Sequence, residues 1–247
     1  MLRIPLPAAL VEQARAYASG ELTPVEPRNA ATVVLMRPST GTGSSSGGPE
    51  VYLLRRQASM AFAAGMCVFP GGGVDPRDFY ADVAWHGPSP EDWEEDRRAL
   101  EAREVSFTSF LERRGLRLRT DLLRLWGSWV TPVFEPRRFN ARFFVAELPA
   151  GQVTRDVSTE SEAVVWLPVR EAIRAVDAQQ MLMLPPTYCT CLEVYDFTRV
   201  GDVLAAAEGR DLSSVEPEAV VDDEGAYLSI PDRLVTLGED VSARLYA

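Results

Sequence analysis

Residues 66–75 read Met66-Cys67-Val68-Phe69-Pro70-Gly71-Gly72-Gly73-Val74-Asp75, an apolar run that stops at a proline and three consecutive glycines. The apolar part fits a short buried strand, with Cys67 as a small core residue. Glycine admits backbone conformations closed to other residues and lets a ligand or another chain segment approach closely. A tight turn and a ligand-cradling loop both fit that composition. Upstream lies a strand-like run over residues 51–55, and the acidic Asp78 stands six positions after Gly72.

The chain of 247 residues is long enough to bury one sizeable core. Its 36 acidic and 25 basic side chains give a formal net charge of -11. That balance argues against a nucleic-acid partner, because non-specific binding needs a basic surface that displaces counterions. A small phosphorylated ligand stays compatible, since a metal ion or a local arginine cluster can reverse the field at one site. The three cysteines, Cys67, Cys189 and Cys191, are odd in number and lack the CxxC spacing of a structural zinc site or the parity of a disulfide framework. Cys189 and Cys191 read as buried helix residues. His86 is the only histidine, which argues against the common zinc-hydrolase sites. No run reaches the length of a membrane span. The first twenty residues carry prolines and Glu12 where a signal peptide needs an apolar core, so the expected location is the cytoplasm.

Spacing predicts a helix over 7–19 with Gly20 as its stop, a buried strand over 30–36 and a return strand over 51–55. Between those strands, residues 38–49 form a Gly/Ser-rich loop that reads as an exposed hairpin connection. Ser106 suits an N-cap for Phe107-Thr108-Ser109-Phe110-Leu111, with Gly115 at the C-terminal stop. A strand pair or strand and turn is expected over 122–133, strands over 142–148 and 163–167, and an amphipathic helix over 169–179. Pro185 and Pro186 open another helix, a short one follows over 202–207, and the acidic C-terminal segment reads as turn-rich with a strand near 226–230. Short strands interleaved with helices mean an α/β or α+β fold. The expected organisation is a lead-in over 1–29, a main domain over 30–180, and C-terminal helices with an acidic tail over 181–247 packed on that domain.

Residues 53–76, LLRRQASMAFAAGMCVFPGGGVDP, resemble the entrance to the catalytic box of Nudix hydrolases. The segments WVTPVFEPRRFNARFFVAELP (129–149), DVSTESEAVVWLPVREAI (156–173), MLPPT (183–187) and SFTSFLERRGLRLRTDLL (106–123) resemble the actinobacterial branch related to coenzyme A diphosphatases. The resemblance implies a Nudix-type α/β/α sandwich around a mixed sheet. It also implies cleavage of a nucleoside diphosphate linked to another group, with coenzyme A or an acyl derivative as one such substrate. In that family the box continues into an R-E-x-x-E-E-x-G helix whose carboxylates hold divalent metal, here Mg2+ or Mn2+. The family interval falls on His86 and Gly87, where the Arg-Glu pair is absent. Glu91, Glu94 and Glu95 have the E-x-x-E-E spacing, which puts carboxylates on one helix face. They are the metal-ligand candidates. Three readings stay open: the catalytic helix has been lost, these glutamates form a shifted box, or the sequence is discontinuous between Gly87 and Asp96.

Under the same resemblance, Gly71, Gly72 and Gly73 with Arg55 and Arg138 are the candidates for holding substrate phosphates. An arginine fork matches phosphate oxygens bidentately. Glu162 is the candidate general base or extra metal ligand, with Glu160 beside it. Trp126 and Trp129 read as core. The expected function is a metal-dependent pyrophosphohydrolase acting on a small nucleotide-type molecule, with a homodimer left open. The alternative is a degenerate, non-catalytic nucleotide-binding module.

Overall fold

The structure, a computed structural model, describes residues 4–39, 48–60, 63–75, 77, 104–154, 161–222 and 225–247. The chain divides into two compact units, Met1–Gly72 with Arg124–Ala247, and Gly73–Leu123.

The first unit is a mixed α/β structure built on a mixed sheet. Its centre is a parallel pair, β2 (Arg28–Pro38) and β7 (Phe139–Glu147), in register from Arg28↔Phe139 to Met36↔Glu147. Both strands are rich in β-branched and aromatic residues, which suit a pleated surface. Side chains alternate along each strand. Val34 and Met36 on β2, Phe143 and Val145 on β7, and Val51 and Leu53 on β3 (Pro49–Arg56) therefore enter one core. β3 returns antiparallel to β2 with Pro38↔Pro49 in register, so the ends of the Gly/Ser-rich connection form a hairpin as expected; residues 40–47 lie outside the described residues. β4 (Cys67–Val68) extends along one edge of β3, and β8 (Ser161–Pro168) pairs with its other edge. β5 (Gly71–Gly73) pairs with β2. On the far side, β6 (Arg124–Val130) pairs with β7, and β9 (Ser214–Val215) with β6.

Among the described residues four helices share the sheet's core cluster: α3 (Val169–Asp177), α4 (Pro185–Val194), Val200–Ala206 and the C-terminal Asp232–Leu245. Pro185 occupies the first turn of α4, where its missing N–H has no intrahelical partner to lose. A short α5 (Val200–Ala206) ends near Gly209, which takes φ +77.

The C-terminal segment departs from the turn-rich expectation. Asp232–Leu245 is a 14-residue helix, α6, with Leu234, Gly238, Val241 and Leu245 buried. Those positions recur every three or four residues, and burial of that stripe outweighs the polar composition between them. A second sheet also forms, with β1 (Ile4–Pro5) paired to β11 (Gly225–Ser229), and β11 to β10 (Glu218–Asp222). The N-terminal helix α1 spans Ala8–Ala18 with Gly20 at φ +79, close to its expected bounds.

In the second unit, α2 (Phe107–Arg114) starts at Ser106, whose Oγ accepts a hydrogen bond from the Ser109 N–H at 3.2 Å. It stops at Gly115 in the left-handed region, φ 61. Phe110, Leu111 and Leu116 form its buried cluster. Glu91, Glu94 and Glu95, and the junction between Gly87 and Asp96, lie outside the described residues.

Candidate functional site

Arg55 and Glu162 are brought together by a register shift. Arg55 pairs with Cys67 on one edge of β3 and with Ala163 on the other, and the next pair is Arg56↔Ser161. Glu162 is thus skipped by the ladder, and such an irregularity turns a side chain out of the regular alternation. Arg55 Nε stands 3.8 Å from Glu162 Oε2, with the two side chains 60% and 59% exposed. At that separation the contact is an ion pair and not a hydrogen bond, so both groups keep bonding capacity for a ligand. The Arg55 charge also reaches Cys67. Burial pushes that thiol's pKa up, and Arg55 partly opposes the shift.

Four residues beyond Cys67 the chain enters the glycines. The Pro70 carbonyl accepts from the Val33 N–H at 2.8 Å and locks this stretch onto β2. Gly71, Gly72 and Gly73 form an exposed strand, and none of them adopts positive φ. What Gly71 supplies is close approach. A Cβ there would stand 2.7 Å from both the Ala31 carbonyl oxygen and Thr32 Oγ1. A Cβ on Gly72 would meet nothing within 4 Å. Packing therefore accounts for Gly71, while Gly72 leaves open backbone at the surface.

Arg138 sits elsewhere and is committed to the fold. It is buried, 8% exposed, and donates to the Thr131 carbonyl (3.0 Å), the Val25 carbonyl (2.8 Å) and Glu216 Oε1 (2.5 Å). Its guanidinium is turned to protein acceptors instead of a substrate phosphate, a correction to the expected role. Buried arginines need such partners because desolvating the cation is expensive. Arg137 is exposed, and Glu160 lies outside the described residues.

Among the described residues, no group of three His, Cys, Asp or Glu side chains could hold a metal ion. A hard divalent cation takes about six oxygen ligands. Glu162 alone, facing a guanidinium, does not fit that need; the metal-ligand candidates Glu91, Glu94 and Glu95 lie outside the described residues.

The sequence reading missed a polar network around Glu193. This carboxylate on α4 accepts from Trp126 Nε1 at 2.9 Å and from Arg210 Nη2 at 2.8 Å, and Arg233 Nη1 lies 3.4 Å away. Four segments far apart in sequence meet there, and no motif marks them. Trp126 is buried in the core as expected.

A crystal structure of a NUDIX hydrolase from Alicyclobacillus acidocaldarius superposes with a TM-score of 0.60, covering 76% of this chain and 98% of that one at 22% identity. The fold is a Nudix fold. A Caenorhabditis elegans protein named as nudix hydrolase 7, a name that states no substrate, is 25% identical over 194 residues. That match takes in 71% of this chain and 61% of the relative, so the chain spans under two thirds of the relative's length. The NUDIX domain of Shewanella oneidensis NrtR, solved in complex with ADP ribose, aligns over 77% of this chain and 98% of its own at TM-score 0.40 and 13% identity. No protein-family model matches the chain. Within this Nudix fold no helix among the described residues is long and apolar enough to cross a membrane.

Proposed function

We propose that the chain is a Nudix-type pyrophosphohydrolase that cleaves a nucleoside diphosphate linked to another group, with coenzyme A or an acyl derivative as the favoured substrate class. The Nudix fold, aligned over nearly the whole of the Alicyclobacillus enzyme, is the observation that carries this reading. The C. elegans relative supports it independently by sequence.

In this reading water attacks one phosphorus of the diphosphate and the bond to the bridging oxygen breaks. Glu162 is the base that takes the proton from water, a role open to a solvent-accessible carboxylate. Arg55 offers free donors to the phosphate oxygens. Gly72, with open space where a Cβ would stand, lets the substrate lie against the backbone. Glu91, Glu94 and Glu95 would hold Mg2+ or Mn2+, which would supply charge neutralisation at the phosphates.

The test is hydrolysis by the purified chain of coenzyme A, ADP-ribose, NADH and dinucleoside polyphosphates, with Mg2+ or Mn2+ and with EDTA. Turnover that requires metal is the expected result. Absence of turnover with every substrate overturns the enzyme. Nucleotide-dependent thermal stabilisation that survives EDTA would then favour a non-catalytic binding module.

A further inference from the structure

Two arginines converge on one buried tyrosine at the helical end of the first unit. Arg170, in the first turn of α3, places its Cζ 4.3 Å from the centroid of the Tyr195 ring, and Arg244, near the end of α6, places its own 5.4 Å away. Tyr195 is 3% exposed. Arg244 is secured by Asp196 at 2.5 Å and by the Asp240 carbonyl at 3.2 Å, and its side chain is half exposed.

Arg170 is not secured in this way. Its hydrogen bond runs from Nη1 to the Tyr195 hydroxyl at 3.3 Å, and its buried Nε has no hydrogen-bond partner among the described residues. Elsewhere the chain satisfies its enclosed guanidinium groups. Arg138 has three acceptors, and Arg210 has a carboxylate, a carbonyl and the Trp126 ring. A buried guanidinium nitrogen left unpaired keeps the cost of its lost hydration, and native structures rarely carry such groups without a reason.

We propose that the Arg170–Tyr195–Arg244 cluster is a binding site for a phosphate-type oxyanion. The fork of Arg170 matches two oxygens of such a group. The Tyr195 hydroxyl, having accepted from Arg170, retains a proton to donate. Arg244 stands at the solvent-exposed rim, its Nη1 paired with Asp196 and its Nε with the Asp240 carbonyl, and presents its Nη2 as a further donor. The first turn of α3 adds the positive end of a helix dipole. The oxyanion is either free orthophosphate or the phosphate of a nucleotide, and the site does not depend on the hydrolase reading.

Isothermal titration of the intact chain with orthophosphate and with ADP, at ionic strength held constant with chloride, tests the site. Saturable binding of at least one is expected, weakened about tenfold or more in both Arg170→Gln and Arg244→Gln. Orthophosphate binding as tightly as ADP assigns the free anion; tighter ADP binding assigns the nucleotide phosphate. Equal affinity in wild type and a folded variant, or no saturable binding of either probe, overturns the proposal. Arg244 is half exposed, so Arg244→Gln decides the question if Arg170→Gln does not fold.

Discussion

Arg210 lies over the indole ring of Trp126, 3.7 Å from its centroid, and donates from Nε to the carbonyl oxygen of the same tryptophan at 2.8 Å. One residue thus caps both the ring and the backbone of β6, and Glu193 closes the arrangement by accepting from each partner. The Glu193 side chain is 14% exposed, so its loss leaves an indole N–H and a guanidinium poorly hydrated. Glu193→Ala is expected to lower unfolding stability by about 3 kcal/mol. A fall in the urea midpoint with an unchanged slope would show it, whereas a midpoint equal to wild type would count against the network.

Gly71 and Gly72 separate packing from openness. Gly71→Ala forces a Cβ against β2 and is expected to cost about 2 kcal/mol. Gly72→Ala should stay within about 0.5 kcal/mol. Thermal melts of the two variants check this, and similar melts would sink the distinction.

Arg138→Lys retains the charge but cannot reproduce three directed bonds from one planar group. A loss of roughly 2–3 kcal/mol is expected in chemical denaturation, with the Val25 carbonyl and Glu216 left short of a donor.

Glu162 and Arg55 should behave in the opposite manner. An exposed pair contributes little to folding, so Glu162→Gln should change stability by less than about 0.5 kcal/mol. Its turnover on the best substrate should drop about a hundredfold or more. A variant with wild-type rate removes Glu162 from the chemistry.

The buried thiols predict an alkaline limb. Burial pushes the pKa values of Cys189 and Cys191 from 9.0 up to about 12. The folded chain therefore holds these protons while the unfolded chain releases them. Their contribution is complete below about pH 9 and is lost as pH rises toward 12. Stability measured across that range should fall less steeply in a Cys189→Ala, Cys191→Ala double variant. At neutral pH all three cysteines should resist a thiol reagent until the chain unfolds.

The strands that make the sheet were legible because their apolar residues repeat every two positions, as in Val34 and Met36 or Val51 and Leu53. Ser106 and Gly115 marked the ends of α2 through purely local chemistry, a side-chain cap and a left-handed stop. The helix Asp232–Leu245 was hidden because a glycine sits on its buried stripe and acidic residues lie between the apolar ones. Pairing of Ile4–Pro5 with Gly225–Ser229 joins opposite ends of the chain, which no local pattern encodes.

The sequence by itself determined the resemblance to Nudix hydrolases and the chemical character of the candidate groups, because residue types and strand periodicity are local properties. Only the tertiary structure decided their uses. A skipped residue in the β3–β8 ladder set Glu162 beside Arg55, burial turned Arg138 inward, and the closeness of β2 required Gly71 to lack a side chain. Each of those outcomes depends on what another strand or loop places within a few ångströms, and that distance is fixed by packing.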